Sequence, residues 1–340
     1  MDERSSADAP KISLLMSCYN GSRWLAQAID SVLAQTVQAF ELILVDDGSK
    51  DATPEIIQSY SRRNQQIVAI LKPNTGLADS LNVGLAKASG TWVARLDQDD
   101  IAEPNRFERQ LAFVQANPAV VLLGTGSLEM DANDRMVKRN FYPTTHEGLV
   151  KNLERLRRFF PHSSAFYRAD IARQVGGYNR RIHRCEDWRM WLELSLRGQI
   201  ACLPECLVRI RKHPMQMSRD DRGTRQFFDQ VAATVCHFLR RAGVKDPSTD
   251  ASDQEWTEFL AWLEQRVREA GALSRRETWV TAREAFFAAT SRLAGAFKAV
   301  GLILKSGDAR SLLREKVFGS VVPMELAKAW VARPDHRPQA

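Results

Sequence analysis

Short apolar runs alternate with segments of helical periodicity in the N-terminal part of the chain. The helical segments repeat apolar residues every three to four positions, as Trp24, Ala28 and Val32 do. Strands are predicted at residues 12–16, 42–45, 67–71 and 92–96, with a helix after each of the first three. Such alternation with short connections predicts an α/β fold, in which a mostly parallel, Rossmann-like sheet is flanked by helices.

Polar clusters follow three of the predicted strands. They comprise residues 17–20, 46–49 and 97–100. Because ligands bind beyond the carboxyl ends of parallel strands, we expect the three clusters to share one edge of the sheet. The last cluster contains Asp97, Asp99 and Asp100, and carboxylates concentrated at a strand end suit a hard divalent cation. For this cluster alone, an acidic turn after an edge strand is the alternative.

The alternation loosens after Pro104 and gives way to long helical patterns beyond about residue 217. A further strand is predicted at residues 163–167 and a helix at 186–197. We therefore predict a catalytic domain over residues 1–220 and a helical C-terminal extension over residues 221–340.

Composition narrows the class of protein. The net charge of +7 suits anionic substrates or an anionic membrane surface, whereas the dispersed basic residues argue against nucleic acid. The five cysteines form no Cys-x-x-Cys pair and predict reduced thiols in a cytosolic protein. A polar N-terminus and the lack of an apolar run of ~18 residues also predict a cytoplasmic protein. A peripheral position on the inner face of the cell membrane stays open.

Seven motifs in order resemble those of family 2 glycosyltransferases. They are ISLLMSCYN at 12–20, VDDGS at 45–49, NTGL at 74–77, ARLDQDD at 94–100, GGY at 176–178, CEDW at 185–188 and RIRKH at 209–213. The resemblance covers residues 10–218 and implies a GT-A fold, a nucleotide-activated sugar donor and transfer with inversion at the anomeric carbon. Processive members carry a Q-x-x-R-W motif and transmembrane helices; neither is found here, so we expect transfer of one sugar or a few.

The resemblance also implies a donor site. Asp47 would accept a hydrogen bond from the nucleotide base, Asp99 would bind Mg²⁺ or Mn²⁺, and Asp97 would support the metal or the ribose. A carboxylate suits the imide N–H of uracil or thymine, so a UDP-sugar is favoured and a dTDP-sugar stays open. The implied nucleotide site consists of Ser17, Tyr19, Asn20, Asp46, Asp47, Gly76, Asp97, Arg211 and His213. As an alternative, the Asp-Gly-Ser turn caps the helix that follows it.

The resemblance also implies a catalytic site at the acidic pair Glu186 and Asp187. By resemblance, Asp187 is the general base that takes the proton from the acceptor hydroxyl, and Glu186 orients it. The alternative is that both acids only favour the positive end of a helix dipole. Arg211 and His213 are implied to stabilise the leaving diphosphate, and His162 is a candidate for the acceptor pocket.

The acceptor is expected to be a glycan or a lipid-linked glycan. Mixed apolar and basic residues between Trp279 and Lys305 predict peripheral contact with an anionic bilayer. Packing of these helices on the core, or on a second subunit of a homo-oligomer, is the alternative.

Two other classes of protein were weighed. A sugar-phosphate nucleotidylyltransferase would need a glycine-rich, arginine-bearing loop after the first strand, and residues 17–20 do not form one. A catalytically inactive nucleotide-sugar-binding scaffold would be expected to lack Asp99 or Asp187, and both are present.

Overall fold

The computed structural model describes residues 12–216, 224–270 and 322–333. The chain divides into two compact units, one formed by Met1–Leu153 with Arg158–Pro214 and the other by Glu154–Arg157 with Met215–Ala340. The predicted boundary at residue 220 lies outside the described residues and stays a prediction.

One mixed sheet forms the first unit. Its strands are β1 (Ile12–Cys18), β2 (Phe40–Asp47), β3 (Ile67–Lys72), β4 (Trp92–Arg95), β5 (Ile101–Ala102), β6 (Val120–Asp131), β7 (Met136–Asn140), β8 (Phe166–Arg168) and β9 (Gln199–Lys212). The strand order is β3-β2-β1-β4-β8-β6-β9-β5, and β7 pairs with β6. Strands β3, β2, β1 and β4 are parallel to one another, as are β6 and β9, whereas β8 runs antiparallel to β4 and β6.

Helices pack on the sheet of this unit. They are α1 (Leu25–Leu33), α2 (Thr53–Arg63), α3 (Leu77–Lys87), α4 (Arg106–Ala116), α5 (His146–Glu154), α6 (Ala169–Gln174) and α7 (Glu186–Leu194). Strand β1 is buried along its whole length, and Leu14 and Met16 join the same core as α1. Leu15 points to the other face, where a Cβ on Gly84 of α3 would lie 2.0 Å from its Cδ1. The predicted α/β architecture with helices against a parallel sheet is confirmed.

The carboxyl ends of β1, β2 and β4 lie at one edge of the sheet. The parallel register places Cys18 opposite Asp46 and Leu15 opposite Arg95. The three polar clusters therefore share this edge, in agreement with the prediction from strand order.

One element differs from its prediction. The sequence predicts a strand over residues 163–167, but His162–Ser164 form a 3-10 turn and β8 begins only at Phe166. The turn is stabilised locally, since Ser164 Oγ donates to Pro161 O at 2.9 Å and Ala165 N donates to His162 O at 3.0 Å. This turn brings Ser163 to the acidic loop after β4.

The described part of the second unit is helical. It contains α8 (Thr224–Arg241), α9 (Asp253–Glu269) and α10 (Pro323–Val331). The ring of Trp330 packs against Phe259 and Trp262, with centroid distances of 4.9 and 5.0 Å. Among the described residues, no helix is long and apolar enough to cross a membrane. The predicted amphipathic stretch from Trp279 to Lys305 lies outside the described residues, so its membrane contact stays a prediction.

Candidate functional site

Asp97 and Asp100, at the two ends of the acidic loop after β4, are held by the same serine. Ser163 Oγ donates to Asp97 Oδ2 at 2.9 Å and to Asp100 Oδ2 at 2.5 Å. Asp97 Oδ1 also accepts from the buried guanidinium of Arg95 at 2.5 Å, and Asp100 Oδ1 accepts from the backbone N–H of Arg211 at 2.9 Å. The loop is therefore fixed from β4, from the turn before β8 and from β9.

The surroundings of the two carboxylates shift their pKa values in opposite directions. Burial opposes the charge on Asp97, but the neighbouring Arg95 charge and the hydrogen bonds that the carboxylate accepts act together against it, and the pKa of Asp97 is lowered. Burial and the charges of Asp99 and Asp97 raise the pKa of Asp100 well above its ordinary value. Asp97 is thus the stable anion of the pair, and its side chain is 41% exposed at the sheet edge.

Asp99 pairs with a histidine from the end of β9. His213 Nε2 lies 2.7 Å from Asp99 Oδ2, and His213 Nδ1 is buried without a hydrogen-bond partner. The imidazole packs on Trp24, with ring centroids 4.2 Å apart. The structure therefore brings together two predicted donor-site residues that are 114 positions apart in the chain.

Arg211 is bonded to protein groups on three sides. Its side chain is buried, and Nε donates to the carbonyl of Asp99 at 2.9 Å. Nη2 donates to Gln27 Oε1 at 2.7 Å, and Nη1 pairs with Asp134 Oδ1. The predicted contact of Arg211 with a diphosphate stays a prediction. Its observed role is to support the acidic loop from behind.

Asp47 is already saturated by the protein. Its carboxylate accepts from the backbone N–H groups of Thr75 and Gly76, each at 2.9 Å, and from Lys72 Nζ. Gly76 adopts a φ of 97°, which favours glycine, and thereby turns its N–H toward Asp47. Asp47 thus connects the end of β2 to the start of α3, and its predicted bond to the nucleotide base stays untested.

Asp46, its neighbour, is less satisfied. One oxygen, Oδ2, accepts from the backbone N–H of Ser49 at 3.2 Å, but Oδ1 is buried without a partner. A buried carboxylate oxygen that lacks a donor is costly, so this atom is a candidate to accept a ligand N–H.

The loop after β1 is clamped to the acidic loop by Gln98. Gln98 Oε1 accepts from Tyr19 N at 2.9 Å, and Gln98 Nε2 donates to Tyr19 O at 3.0 Å. Gly21 makes room for this amide, since a Cβ there would lie 2.0 Å from Gln98 Oε1. Asn20, with a φ of 48°, connects the same loop to β2 through the hydroxyl of Ser49 at 2.9 Å. Ser17 is buried at the end of β1.

The predicted acidic pair lies at the start of α7. Burial raises the pKa of Asp187 to about 6; the N–H of Trp188, which donates to it at 2.7 Å, opposes this shift, and the charge of Asp97 adds to it. Glu186 is buried, its Oε2 has no hydrogen-bond partner, and burial with the charge of Asp187 raises its pKa well above the ordinary value. Burial therefore disfavours the charge on both acids, and it raises the pKa of Glu186 as well as that of Asp187.

A buried aromatic group lies beside this pair. His162 Nε2 bonds Tyr178 Oη at 2.9 Å, and the hydroxyls of Tyr178 and Tyr167 lie 3.1 Å apart. Burial, with the charge of Arg95, lowers the pKa of His162 to about 3, so the imidazole is neutral. Asn82 holds Tyr178 by two backbone hydrogen bonds of 2.8 Å. His162 is thus part of the support of the site, and its predicted contact with the acceptor stays a prediction.

Sequence reasoning missed the residues that hold the acidic loop. Arg95 and Gln98 lie inside the ARLDQDD motif and Ser163 follows the candidate His162, yet no role was expected for them. One signal for Arg95 was available, since it is an arginine in an apolar strand just before three carboxylates. A cation buried at such a position requires a counter-charge. Nothing in the sequence indicated the pairing of Ser163 with the acidic loop.

Solved structures with the same architecture define the class of this protein. A structure of TarS residues 1–349 from S. aureus in complex with UDP has a TM-score of 0.54 and 15% identity, covering 94% of this chain and 92% of that one. The mannosyltransferase PcManGT from Pyrobaculum calidifontis, in complex with GDP-Man and Mn²⁺, has a TM-score of 0.52 and 17% identity, covering 97% and 88%. At these identities the likeness shows the fold, which is the GT-A fold of nucleotide-sugar transferases.

Sequence relatives then give the family. Residues 13–176 match the family described as "Glycosyl transferase family 2". The putative glycosyltransferase EpsE of Bacillus subtilis is 35% identical over 210 residues, which are 60% of this chain and 73% of EpsE. The amylovoran biosynthesis glycosyltransferase AmsE of Erwinia amylovora is 31% identical over 204 residues, covering 58% and 75%. The chain belongs to the family 2 glycosyltransferases, and the predicted enzyme class is confirmed.

The Gln98 clamp gives a first prediction. Replacing Gln98 by Leu removes two hydrogen bonds, each worth ~1 kcal/mol, and frees the Tyr19 loop. We expect nucleotide binding to weaken by about 5- to 30-fold, measured by calorimetric titration with UDP and Mn²⁺. Gln66→Leu is the matched control, because the Gln66 amide donates to Gln38 O and Phe40 O. These contacts lie near the starts of β2 and β3, at the opposite end of the strands from the site. Equal affinities of the two variants would contradict a role of the clamp in donor binding.

Proposed function

We propose that the protein transfers a sugar with inversion from a nucleoside-diphosphate sugar to a hydroxyl of a glycan or lipid-linked glycan. The reaction depends on Mg²⁺ or Mn²⁺ and adds one sugar or a few before the product is released. The observation that carries the proposal is the pairing of Asp99 with His213 at the edge where the parallel strands end, at 2.7 Å. Family membership argues against a nucleotidylyltransferase, and an assay of sugar transfer would separate the proposed enzyme from an inactive nucleotide-sugar-binding scaffold.

The residues present fit a divalent cation. A carboxylate oxygen and an imidazole nitrogen are both ligands that Mn²⁺ accepts, and Asp99 Oδ2 and His213 Nε2 lie 2.7 Å apart. Asp97 is less suited, since Arg95 and Ser163 occupy its two oxygens. In the ranges that the structure describes, no three or more His, Cys, Asp or Glu side chains are arranged to hold a metal. We therefore propose Asp99 and His213 as the protein ligands, with the diphosphate and water in the remaining positions.

The chemistry of the donor side follows from charge. When bound, Mg²⁺ or Mn²⁺ would neutralise the negative charge that develops on the departing diphosphate. Asp97 stays ionised beside Arg95 and is proposed to support the ribose or the metal, as expected from the resemblance. Asp46 is proposed to accept the imide N–H of the base through its unpartnered Oδ1, in place of the saturated Asp47.

The nucleotide follows from the same acceptor. Uracil and thymine each present one imide N–H, so UDP-sugars are tested first and dTDP-sugars second. The TarS structures in complex with UDP and UDP-GlcNAc support this order, and the GDP-Man complex of PcManGT makes GDP the third candidate. The name of AmsE, a protein of amylovoran biosynthesis, supports a surface polysaccharide as the setting of the acceptor.

The transfer itself is proposed to be a single displacement. Asp187 takes the proton of the acceptor hydroxyl while the hydroxyl oxygen bonds to the anomeric carbon. The bond from that carbon to the diphosphate breaks on the opposite face, and its electron pair leaves with the nucleoside diphosphate. Glu186 is buried next to Asp187 and its pKa is raised well above the ordinary value, which favours placing the negative charge of the pair on the proposed base. The raised pKa of Asp187 brings it nearer to neutral pH, where a general base is most effective.

The metal pair gives a second prediction. Asp99→Ala and His213→Ala should each abolish the increase in UDP affinity that Mn²⁺ produces in the wild type, because each removes a metal ligand. Calorimetric titration of UDP with and without Mn²⁺ measures this, and Asp30→Ala serves as a control on the exposed side of α1. Metal-dependent UDP binding that survives in both variants would contradict the assignment. If the wild type binds neither UDP, dTDP nor GDP, the proposed donor site is contradicted; nucleotide binding without any sugar transfer would favour the inactive scaffold.

The two adjacent carboxylates of β2 give a third prediction. Asp46→Asn should weaken UDP binding by at least about tenfold with little change in melting temperature, because it removes an acceptor for the base and no strong internal bond. Asp47→Asn should lower the melting temperature instead, because its new NH₂ group faces donors from Thr75, Gly76 and Lys72. Thermal unfolding and UDP titration of both variants separate the two roles. Loss of UDP affinity confined to a stable Asp47→Asn variant would restore Asp47 as the base contact.

The pKa of Asp187 gives a fourth prediction. A base with a pKa of about 6 is protonated below that pH, so kcat/KM should fall about tenfold per pH unit there and be constant above it. Asp187→Asn should lower the rate by about 10²- to 10⁴-fold. Since burial disfavours the charge, the folded protein loses stability as the pH rises through about 6, and the Asn variant escapes this loss. We therefore expect Asp187→Asn to melt at or above the wild-type temperature at pH 8; an unstable variant, or an active one, would contradict the proposal.

A further inference from the structure

The tip of the hairpin formed by β6 and β7 contacts Arg211, the residue that supports the acidic loop. This tip is remote from the acidic loop in sequence. The turn between β6 and β7 places Asp134 against the guanidinium of Arg211. The turn is well defined, since Asp131 Oδ1 accepts from the N–H groups of Asn133 at 2.8 Å and Arg135 at 3.0 Å. Asp134 itself has a φ of 66° in the left-handed region, which Asp tolerates better than most residues.

Arg211 in turn influences the positions of both members of the proposed metal pair, Asp99 and His213. Its Nε donates to the carbonyl of Asp99 at 2.9 Å, so it fixes the backbone from which the Asp99 carboxylate projects. It also lies on β9 two residues before His213, which directly follows the strand, and its guanidinium lies 5.5 Å from the ring of Trp24, on which His213 packs. A shift of Arg211 would therefore change the position of Asp99 and of His213 together.

Charge explains why the hairpin is needed. The Arg211 side chain is 1% exposed, and a buried guanidinium is costly without a paired anion. Asp134 supplies a carboxylate to Nη1, and Gln27 on α1 supplies an amide oxygen to Nη2 at 2.7 Å. Gln27 Nε2 also reaches Asp134 Oδ2 at 3.4 Å, so the three side chains form a closed ring.

We propose that Asp134 is a positioning residue for the donor site: through Arg211 it fixes the spacing of Asp99 and His213 and thereby sets the affinity of the protein for Mn²⁺ in the presence of nucleotide. The inference rests on the metal-dependent function proposed above. It extends the site to a side chain that is 52% exposed and that touches neither the metal pair nor the acidic loop in the contacts described.

The test uses variants matched to the backbone at this position. Asp134→Gly removes the side chain but keeps a residue at ease with positive φ, and Asp134→Asn keeps an acceptor while removing the charge. Asn133→Ala is the control in the same turn, because the Asn133 side chain is exposed. MnCl₂ is titrated calorimetrically into each full-length protein with saturating UDP, and UDP is titrated without metal in parallel.

We expect Asp134→Gly to bind Mn²⁺ about 10- to 100-fold more weakly than the wild type, which is the usual cost of losing a residue that orients a metal ligand. Asp134→Asn should lose less, Asn133→Ala should match the wild type, and UDP binding without metal should be the same in all four proteins. In transfer assays, kcat of Asp134→Gly should recover at high Mn²⁺. A fall in melting temperature with unchanged Mn²⁺ affinity would show a merely structural role and overturn the inference alone. Failure of the wild type to bind Mn²⁺ with UDP would overturn both this inference and the metal dependence on which it rests.

Discussion

Mutual repulsion between Asp97, Asp99 and Asp100 is the constraint on which the edge of the sheet depends. Three carboxylates in one short loop disfavour one another's charge, and burial increases that cost. Each carboxylate has its own main partner, Arg95 for Asp97, His213 for Asp99 and the Arg211 amide for Asp100, and Ser163 is shared by Asp97 and Asp100. These partners come from β4, the end of β9 and the turn before β8. The arrangement of the acidic loop therefore depends on the assembly of the mixed sheet.

Local sequence pattern was enough to predict the first half of the fold and the edge of the sheet at which the site lies. Apolar runs and helical periodicity predicted β1 to β4 with α1 to α3, and strand order alone brought the polar clusters to one edge. Local pattern could not place Ser163 and His213 at the acidic loop, because they reach it over separations of 66 and 114 residues, and only the motif resemblance placed His213 in the same site. Their approach depends on how β8 and β9 join the sheet. An apolar strand carries no information about its neighbour, and β8 is only three residues long.

Adjacent identical residues show another limit of sequence reasoning. Asp46 and Asp47 follow each other on β2, and the pleat of a strand sends neighbouring side chains to opposite faces. One face meets the start of α3, so Asp47 is consumed by two backbone N–H groups and Lys72. The other leaves an oxygen of Asp46 without a donor. A motif resemblance names both carboxylates, but only the register of the strand against α3 separates the structural acid from the candidate ligand acid.

The carboxylates of the site also differ in the direction of their pKa shifts. This difference supports the proposed division of roles between donor binding and proton transfer. Two carboxylates on the proposed donor side have a lowered pKa: at Asp47 the hydrogen bonds and charge of its neighbours, Lys72 first, together outweigh burial, and at Asp97 the Arg95 charge and the hydrogen bonds it accepts do so together. Asp100, in the same loop, is the exception, because burial and its neighbours' charges raise its pKa. On the acceptor side, where β8 turns antiparallel and α7 begins, burial prevails and the pKa values of Asp187 and Glu186 are raised. Permanent anions suit the binding of metal and nucleotide, whereas an acid that titrates near pH 6 suits proton transfer. The boundary between the two environments falls between β4 and β8, where donor and acceptor would have to meet.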